Sequence, residues 1–597
     1  MRHDRLSQSL PDVGVLRTYQ TRWLAKDVVA GLVLSALLVP QGVAYAELAG
    51  LPAVTGLYTS ILCLVGYAIF GPSKILVLGP DSSLGPMIAA TILPLMGAGG
   101  DPARAVALAS MLTLFTGAAM VLAGVCKLGF IADLLSKPTM LGYMNGLALT
   151  ILVGQLPKLF GFSVDAGNFL GELVGFLSGM AQGKGLPAAA ATGIGALLLI
   201  LVLQRFAPKL PAVLIAVVAA IIATTVFSLA AKGVVLVGML PQGLPSFTIP
   251  RVGWSYLAPL LGGALGISLV ALADTISTSS SFADRRGDEV DGNREMVGLG
   301  AANLAAGLSQ GFPVSTSGAR TAVAEQSGSK TQVTGLVGAV VITLMLVVCP
   351  WLLQNLPQPT LAAVVIAASL SLGDIPATRR LWSQSRTDFI LSMTAFAGVV
   401  LSGVVLFGVL LGIGVLLGIV VAIALSVANV FRRAWWPYQA TLGRRPGIKG
   451  YHDIARHPEA EQLAGCTIFR FDAPLIFANS RTFRDQIRAI AKASPSPAWI
   501  VVAAEPLTDV DTTACDMLED LVPALDRQGV TLVFAEMKGP VKEKARQFGL
   551  SITIPDDRFF PTLGTAVAAW KAQAGLPSGE GHDDQTDPGS GDVDRGG

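Results

Sequence analysis

Two short stretches, far apart in the chain, carry the residue types that could hold a small anion. In residues 76–94, a Gly79-Pro80 break leads into Asp81-Ser82-Ser83 and then into an apolar helix that ends near Pro94. At about 1.5 Å per residue, that helix covers roughly half of a bilayer core. Its first N–H groups have no intrahelical partners, and with the positive end of the helix dipole they predict an anion site.

Residues 311–328 repeat this pattern in the second half of the chain, with a helix that starts near Ser317. Two broken helices at corresponding places in two halves indicate the substrate site of a transporter. Backbone N–H groups at both helix starts should face the anion, and serine hydroxyls could add donors. The predicted cradle consists of Ser82, Ser83, Leu84, Ser317, Gly318 and Ala319.

Charged residues near these stretches suggest further roles. Arg320 lies at the start of the second half-helix, where a charge costs about 2.5–3.5 kcal/mol on insertion scales, so it should face protein or water. We predict that it serves the anion site; the alternative is a structural ion pair with Asp274 or Asp81. Asp274 and Thr278 share one helix face and offer the oxygens that hard cations prefer. They predict a site for Na⁺ or a proton, and the alternative is a buried acid satisfied by its neighbours.

Three more residues complete the candidate site. Gln41 and Tyr45 are four residues apart at the Pro40-Gln41-Gly42 kink of the first span, which places both on one face. Gln41 is a candidate hydrogen-bonding partner of the substrate or, at even odds, an amide that packs helices together. Asp81 could cap the helix start, which would compete with an anion, or it could complete the cation site.

The composition is that of a membrane protein. Of 597 residues 52% are hydrophobic and only 14% are charged, whereas soluble proteins carry about 25% charge. A net charge of +2 without a basic stripe predicts no nucleic-acid partner. Neither the cysteines nor the histidines show metal-ligand spacing, and no nucleophile–base set or phosphate loop is present, so we expect no cofactor, no metal other than a bound Na⁺, and no enzyme activity.

The apolar segments form two sets of seven, with the half-helices third in each set. An odd number per set forces the two repeats into opposite orientations, which is the inverted-repeat architecture. Lysine and arginine are concentrated in the loops on the side of the amino terminus, which predicts that both termini are cytoplasmic. We expect the membrane to be a bacterial inner membrane. The segments are residues 28–45, 57–70, 82–94, 106–125, 139–157, 187–202, 212–229, 256–281, 293–308, 317–328, 331–350, 359–372, 388–406 and 409–430.

These segments divide the chain into domains. We predict a cytoplasmic arm over residues 1–26, a first repeat over 27–231 and a second over 255–433. Residues 443–575 show buried strands alternating with amphipathic helices, which is typical of a soluble α/β domain. Residues 577–597 are rich in Gly, Asp and Ser, and we predict that they are disordered.

Several motifs resemble those of the sulfate permease family, the bacterial relatives of the solute carrier 26 anion exchangers. The resemblance is carried by residues 40–71 (PQGVAYAELAGLPAVTGLYTSILCLVGYAIFG), by Gly79-Pro80, by residues 303–321 (NLAAGLSQGFPVSTSGART) and by the turn at 328–332 (GSKTQ). The carboxy-terminal part resembles a STAS domain. Together these matches extend over nearly all of residues 20–570.

The resemblance implies a core domain that moves against a gate domain, a homodimer and small anions as substrates: sulfate, bicarbonate, chloride or dicarboxylates. Sodium-coupled bicarbonate carriers of the family have an aspartate and a threonine at the positions of Asp274 and Thr278, and the family often has an arginine at the position of Arg320. Thr512 aligns with the phosphorylatable serine of anti-sigma antagonists. A plain helix cap is the favoured alternative there, and a cytoplasmic protein partner at the STAS domain is the related expectation.

The favoured interpretation is a secondary anion transporter with Na⁺ or H⁺ symport by alternating access. Within the same fold, a nucleobase carrier is the alternative, although no aromatic clamp beyond Tyr45 is evident. From another class, a membrane sensor could bind the anion and signal through the STAS domain. A channel mode also stays open. Flux into proteoliposomes separates these hypotheses.

Overall fold

The computed structural model describes residues 19–96, 101–129, 136–164, 166, 169–207, 210–287, 290–401, 414–445 and 448–576. Residues 1–18 of the predicted arm and the predicted disordered tail at 577–597 therefore lie outside the described residues. The chain forms two compact units, residues 1–426 and residues 427–597, and the helix at Gly414–Trp435 runs through their boundary.

The first half of the membrane unit contains eight described helices and one short strand. They are α1 (Leu24–Leu48), α2 (Ala53–Phe70), β1 (Leu78–Gly79), α3 (Gly85–Met96), α4 (Pro102–Val125), α5 (Lys137–Leu159), α6 (Phe169–Ala181), α7 (Pro187–Phe206) and α8 (Ala212–Val226).

The second half repeats that order. It contains α9 (Leu257–Arg286), α10 (Gly292–Gly307), β2 (Ser315–Thr316), α11 (Gly318–Gln326), α12 (Val333–Val348), α13 (Gln358–Leu372), α14 (Ile375–Gln384), α15 (Arg386–Leu401) and α16 (Gly414–Trp435). Short 3₁₀ turns lie at Thr21–Trp23, Leu229–Lys232, Trp254–Tyr256 and Pro350–Leu353.

The third helix of each half is short, as the sequence predicts. At about 1.5 Å per residue, the 12 residues of α3 and the 9 residues of α11 measure roughly 18 and 14 Å, well under the 30 Å of a bilayer core. Each short helix follows a two-residue strand. The fold is the expected inverted-repeat helical membrane protein with two half-helices.

Two helices were not expected from the sequence, and they occupy equivalent places. α6 follows the fifth segment of the first repeat, and α14 follows the fifth segment of the second. α14 is polar on one side and none of its residues is buried, while α6 buries only Gly179. α6 is short and α14 is polar, so neither contains the long apolar run that predicts a membrane span. Their matching positions extend the correspondence between the two halves.

Length and composition make several helices fit to cross a membrane. Among the described residues, seven helical stretches are long and apolar enough: Thr21–Leu48, Ala53–Phe70, Pro102–Val125, Lys137–Leu159, Pro187–Phe206, Trp254–Ala283 and Gln358–Gln384. Four shorter apolar helices accompany them, α3, α6, α8 and α12.

The membrane helices pack in two groups. In the first group, α10 packs on α4 and α2, and α1 packs on α2 and α12. In the second group, α5 packs on α15 and α13, and α13 packs on α7. α1 also contacts α13 and α8, so it borders both groups. Small residues allow the close approaches within the first group: a β-carbon added at Gly117 would lie 2.7 Å from the Gly300 carbonyl oxygen.

The second unit is an α/β domain with a six-stranded sheet in the order β4-β3-β5-β6-β7-β8. The strands β5, β6, β7 and β8 are parallel, whereas β3 is antiparallel to both β4 and β5. The elements are β3 (Gln439–Arg444), β4 (Tyr451–Asp453), β5 (Cys466–Phe471), α17 (Ser480–Ala491), β6 (Trp499–Ala503), α18 (Thr512–Asp526), β7 (Thr531–Ala535), α19 (Gly539–Gln547), β8 (Phe559–Phe560) and α20 (Leu563–Gln573), with 3₁₀ turns at Leu550–Ile552 and Asp556–Arg558.

Candidate functional site

The two half-helix starts are brought side by side by their preceding strands. β1 and β2 pair antiparallel, with Leu78 opposite Thr316 and Gly79 opposite Ser315. The Ser317 N–H extends the pairing by donating to the Val77 carbonyl at 3.2 Å. Antiparallel strands run in opposite directions, and these strands are only two residues long. The helices α3 and α11, which follow them, therefore begin close together and point apart. The N-terminal ends of both half-helices therefore meet inside the protein.

The first half-helix start is buried and partly capped by its own acid. Ser82, Ser83 and Leu84 are exposed by no more than 4%, and they form a turn before α3 begins at Gly85. Asp81 Oδ1 accepts the Ser83 hydroxyl at 2.8 Å and the Ser83 N–H at 3.3 Å. The regular helix therefore starts later than the expected Asp81–Ser83, because the carboxylate closes a local turn that competes with the first helical turn.

The second half-helix start is more open and carries a positive charge. Ser317 is the N-cap, and its hydroxyl oxygen accepts the Arg320 N–H at 3.4 Å. Gly318 and Ala319 are exposed, although they follow the buried strand β2. A β-carbon added at Gly318 would have its nearest neighbour at 3.9 Å, the methyl group of Thr278. The second start therefore has room beside α9 at Gly318.

Arg320 connects the two half-helix starts. Its side chain is 2% exposed, and its guanidinium donates to the Pro80 carbonyl at 2.5 Å and to the Gly79 carbonyl at 3.4 Å. Within the described part of the chain, its Nε is buried and makes no hydrogen bond. These bonds go to backbone carbonyls, so the expected alternative of an ion pair with Asp274 or Asp81 is not what holds the guanidinium. The cation keeps a buried donor for a further acceptor.

α9 lines the same region with oxygen groups. Asp274 Oδ2 accepts a hydrogen bond from the Ser315 hydroxyl at 3.3 Å. The Thr316 hydroxyl donates to the Thr275 hydroxyl, also at 3.3 Å. Asp274 interacts electrostatically with Asp81 and Arg320. Thr278, one turn further on, lies beside Gly318. Asp274, Thr278 and Asp81 could therefore give oxygen ligands to a Na⁺ ion next to the half-helix starts.

α1 supplies an aromatic wall. Tyr45 is 4% exposed, its phenol interacts with the Ser82 hydroxyl, and the charges of Asp81 and Arg320 act on it. Gln41 is half-buried one turn earlier on the same helix. The structure thus brings Tyr45 to the predicted cradle together with both half-helix starts, and Gln41 stands next to it along the helix face.

Three buried polar residues that support this region were missing from the sequence-based prediction. Asn303 holds the chain before β2, since its side-chain amide accepts the Val314 N–H at 3.0 Å and donates to the Val314 carbonyl at 3.2 Å. Asp27 and Gln332 lie at the far end of α11, where they bind main-chain groups. A lone polar residue in an apolar helix is a weak sequence signal, because its partners are more than two hundred residues away or in an irregular turn.

In the soluble unit, the predicted Thr512 lies at the start of α18. Thr512 and Thr513 are exposed, and Asp511 caps the helix by accepting the Ala514 N–H at 2.8 Å. The Lys544 ammonium donates to Asp509 at 2.6 Å, and this hydrogen bond lowers the pKa of the Asp509 carboxyl. The loop is an N-capped helix start with an exposed hydroxyl, so both of the roles considered for Thr512 stay open.

Paired half-helix starts inside an apolar inverted-repeat bundle define a membrane transport protein. Comparison with known sequences gives the family: the sulfate permease family matches residues 24–395, and the STAS domain matches residues 457–566. The chain belongs to the sulfate permease family. It is an anion transporter by family, and not an enzyme.

The relatives cover nearly the whole chain. A probable sulfate transporter of Mycobacterium tuberculosis strain CDC 1551 is 40% identical over 562 residues, which are 94% of this chain and 98% of the relative. High affinity sulfate transporter 2 of the plant Stylosanthes hamata is 29% identical, covering 93% of this chain and 85% of the relative.

Solved structures show the same fold. The murine solute carrier 26 family member A9, an anion transporter solved in the inward-facing state, superposes with a TM-score of 0.84 at 22% identity, covering 96% of this chain and 95% of that one. The transmembrane domain of a cyanobacterial bicarbonate transporter gives a TM-score of 0.58 at 21% identity, covering 68% of this chain and 98% of that domain.

Proposed function

We propose that this protein is a secondary active transporter of sulfate or a similar small anion, driven by Na⁺ or H⁺ and working by alternating access. The observation that carries the proposal is the buried Arg320, whose guanidinium joins the two half-helix starts and keeps an unpartnered Nε. Helix N-termini and a guanidinium with a free donor both stabilise negative charge, and we propose that together they form a site for an oxyanion.

The expected substrate follows from the relatives and from the charges at the two half-helix starts. Transporters 40% and 29% identical to this chain carry the word sulfate in their names, while the structural neighbours include an anion transporter and a bicarbonate transporter. Sulfate is a dianion, and Asp81 opposes it at the first half-helix start. We therefore place the oxyanion against Gly318, Ala319 and Arg320, where the space is open and the charge is positive.

Coupling is proposed to act through α9. Asp274 and Asp81 interact within the site, and two neighbouring carboxylates favour the uptake of a proton or a Na⁺ ion. A bound cation would cancel negative charge beside the anion, so each would raise the affinity for the other. Alternating access would move the helix group containing α1–α4 and α9–α12 against the group containing α5–α8 and α13–α15.

The proposed setting is the bacterial inner membrane, with both termini in the cytoplasm and a homodimer as the assembly. The loop charges described above support this orientation. The STAS domain would then be cytoplasmic, available to a protein partner.

The test is uptake into proteoliposomes that contain the full chain. Radiolabelled sulfate, bicarbonate and fumarate are compared with and without a Na⁺ gradient and a pH gradient. Accumulation of one anion that depends on a cation gradient supports the proposal. An anion sensor would bind without net uptake, and a channel would pass current far above carrier turnover; either result would overturn it.

A further inference from the structure

Asp27, at the start of α1, is a buried carboxylate with an unusually full set of donors. It is 0% exposed, and Oδ1 accepts the Lys330 N–H at 2.7 Å and the Thr331 N–H at 3.2 Å. The hydroxyl groups of Thr331 and Thr334 donate to its two oxygens at 2.8 and 3.1 Å. The Tyr19 phenol adds a bond at 3.3 Å. A carboxylate is buried at low cost only when its lone pairs are filled in this way.

The turn held by Asp27 leads out of the second half-helix. α11 ends at Gln326, and residues 328–332, the GSKTQ motif, form the turn that enters α12. From this turn, the Gln332 side-chain amide donates to the Ser73 carbonyl at 2.8 Å and to the Leu76 carbonyl at 2.9 Å. Leu76 lies two residues before β1, the strand that leads into the first half-helix.

A further hydrogen bond links α11 itself to the segment before β1. The Thr321 hydroxyl oxygen accepts the Val77 N–H at 3.1 Å, one turn beyond the start of the second half-helix. The approach to the first half-helix is therefore tied to the body and to the exit of the second one. We call this arrangement the Asp27 clasp: Asp27, the turn at residues 330–334, and Gln332 with its two carbonyl partners.

The equivalent place in the other repeat is built differently. There, the start of α9 meets the start of α4 through a hydrogen bond from the Arg104 guanidinium to the Tyr256 hydroxyl, and the guanidinium also stands 5.1 Å from the Tyr256 ring centroid. This contact is exposed, and it involves two side chains only. The clasp, by contrast, binds main-chain groups inside the protein. The turn before α4 at residues 97–100 lies outside the described residues.

We propose that Asp27 is a positioning residue that sets the spacing of the two half-helix starts through Gln332, and thereby sets the affinity of the anion site. The inference rests on the proposed function for its ligand. Its physical basis is that N–H donors and a guanidinium act on an anion only at hydrogen-bonding distance, so a small displacement of one half-helix start weakens both contributions.

The variants separate positioning from general stability. Asp27→Ala removes every acceptor, while Asp27→Asn keeps one carbonyl oxygen for the Lys330 N–H and lets the threonine hydroxyls reverse their roles. Gln332→Leu removes the donors to the Ser73 and Leu76 carbonyls. Leu346→Ala is the matched control, because Leu346 is fully buried in the same helix α12 that follows the turn, and its loss leaves a cavity without touching the clasp.

The experiment measures sulfate uptake by the full chain in proteoliposomes, and it separates KM from kcat. Asp27→Ala and Gln332→Leu should raise KM about tenfold to a hundredfold, with Asp27→Asn between them and the wild type. The KM of the double variant should not exceed the KM of the more severe single variant, because both substitutions act on one connection. Leu346→Ala should lower thermal stability with KM unchanged. If all four variants lose stability while KM stays at the wild-type value, Asp27 is merely structural and the proposal is wrong.

A second measurement does not depend on the ligand. Ala319 is exposed at the second half-helix start, so a cysteine there can be labelled by a thiol reagent in a background that carries both Cys126→Ala and Cys349→Ala. Loss of the clasp should change this labelling rate several-fold in the Asp27→Ala variant, with no change in Leu346→Ala. If the wild type does not take up sulfate, the proposed substrate fails while the labelling result still decides the clasp. Equal labelling rates in all variants would overturn the clasp alone.

Discussion

The two half-helix starts each follow a two-residue strand but differ in their electrostatics. At the first start, Ser82 and Ser83 are buried and Asp81 already accepts a local N–H and a hydroxyl. At the second start, Gly318 is exposed and Arg320 brings a buried guanidinium. The inverted repeat directs two helix dipoles at one place, and the charged side chains make the two helix starts differ in their affinity for an anion. Under the proposed function, the anion binds at the second start beside Arg320, because the carboxylate of Asp81 makes the first start less favourable for it.

The largest effect is expected from Arg320→Gln. It removes the positive charge that joins the two starts and leaves the Gly79 and Pro80 carbonyls without their donor, so the rate of sulfate uptake at low concentration should fall by about a hundredfold or more. Arg320→Lys should lie between this variant and the wild type, because it keeps the charge but not the planar fork. The control is the exposed Arg251→Gln. If Arg320→Gln takes up sulfate at the wild-type rate, the proposal that Arg320 makes the second start the anion site is wrong.

Asp274→Asn tests the cation side. Without the carboxylate there is no site for a proton or Na⁺ on α9, so accumulation driven by a cation gradient should be lost while anion exchange down a concentration gradient persists. Accumulation and counterflow are measured in the same proteoliposomes. Asp374→Asn, at the exposed N-cap of α14, is the matched control. Unchanged accumulation in the Asp274 variant would contradict the coupling role.

Gly318→Val sharpens the assignment of the anion to the second start. The nearest atom to an added β-carbon is 3.9 Å away, in the Thr278 methyl group, so the position has room for a β-carbon, and we expect the larger side chain to occupy space that the proposed anion needs. The apparent KM for sulfate should rise about tenfold. Gly262→Val in α9, where a β-carbon meets no atom within 4 Å, is the control. A KM equal to that of the wild type would place the anion elsewhere.

The smallest effect is expected from Asp81→Asn. The amide oxygen still caps the Ser83 N–H, and only the negative charge is lost. In anion exchange without Na⁺ and at equal pH on both sides, the KM for sulfate should therefore fall a few-fold, and more than the KM for a monovalent anion. Initial rates with sulfate and bicarbonate give the ratio directly. Asp101→Asn at the exposed N-cap of α4 is the control. An equal change for both anions would show that Asp81 does not act through its charge.

The broad architecture was predictable because its signals are local. Long apolar runs define the spans, Gly79-Pro80 and Ser317-Gly318 interrupt two of them, and alternating strand and helix patterns define the STAS domain. α6 and α14 were missed because one is short and the other is polar, so neither resembles a span. The strand β3 begins at Gln439, before the predicted start of the soluble domain at residue 443, because β3 is only partly buried and carries a weaker apolar signal than the central strand β6.

The positions of the candidate residues at the helix starts could be inferred from the sequence, but their contacts could not. Asp81, Ser82, Ser317 and Arg320 stand next to helix starts, which the sequence marks. That Arg320 reaches the Pro80 carbonyl depends on the pairing of β1 with β2, and two-residue strands 236 residues apart give no pattern from which to infer it. Asp27 illustrates the same limit, because it reads as an ordinary acid at the start of a helix until its partners around Thr331 are seen.

The most direct test of the two-sided site is to locate the anion. Selenate, an anomalously scattering analogue of sulfate, is diffused into crystals of the full chain. The account predicts one anomalous peak within hydrogen-bonding distance of the N–H groups of Gly318–Arg320 and of Arg320 Nε, on the side away from Asp81. A peak outside the space between the two half-helix starts, or one that persists unchanged in Arg320→Gln, would contradict it.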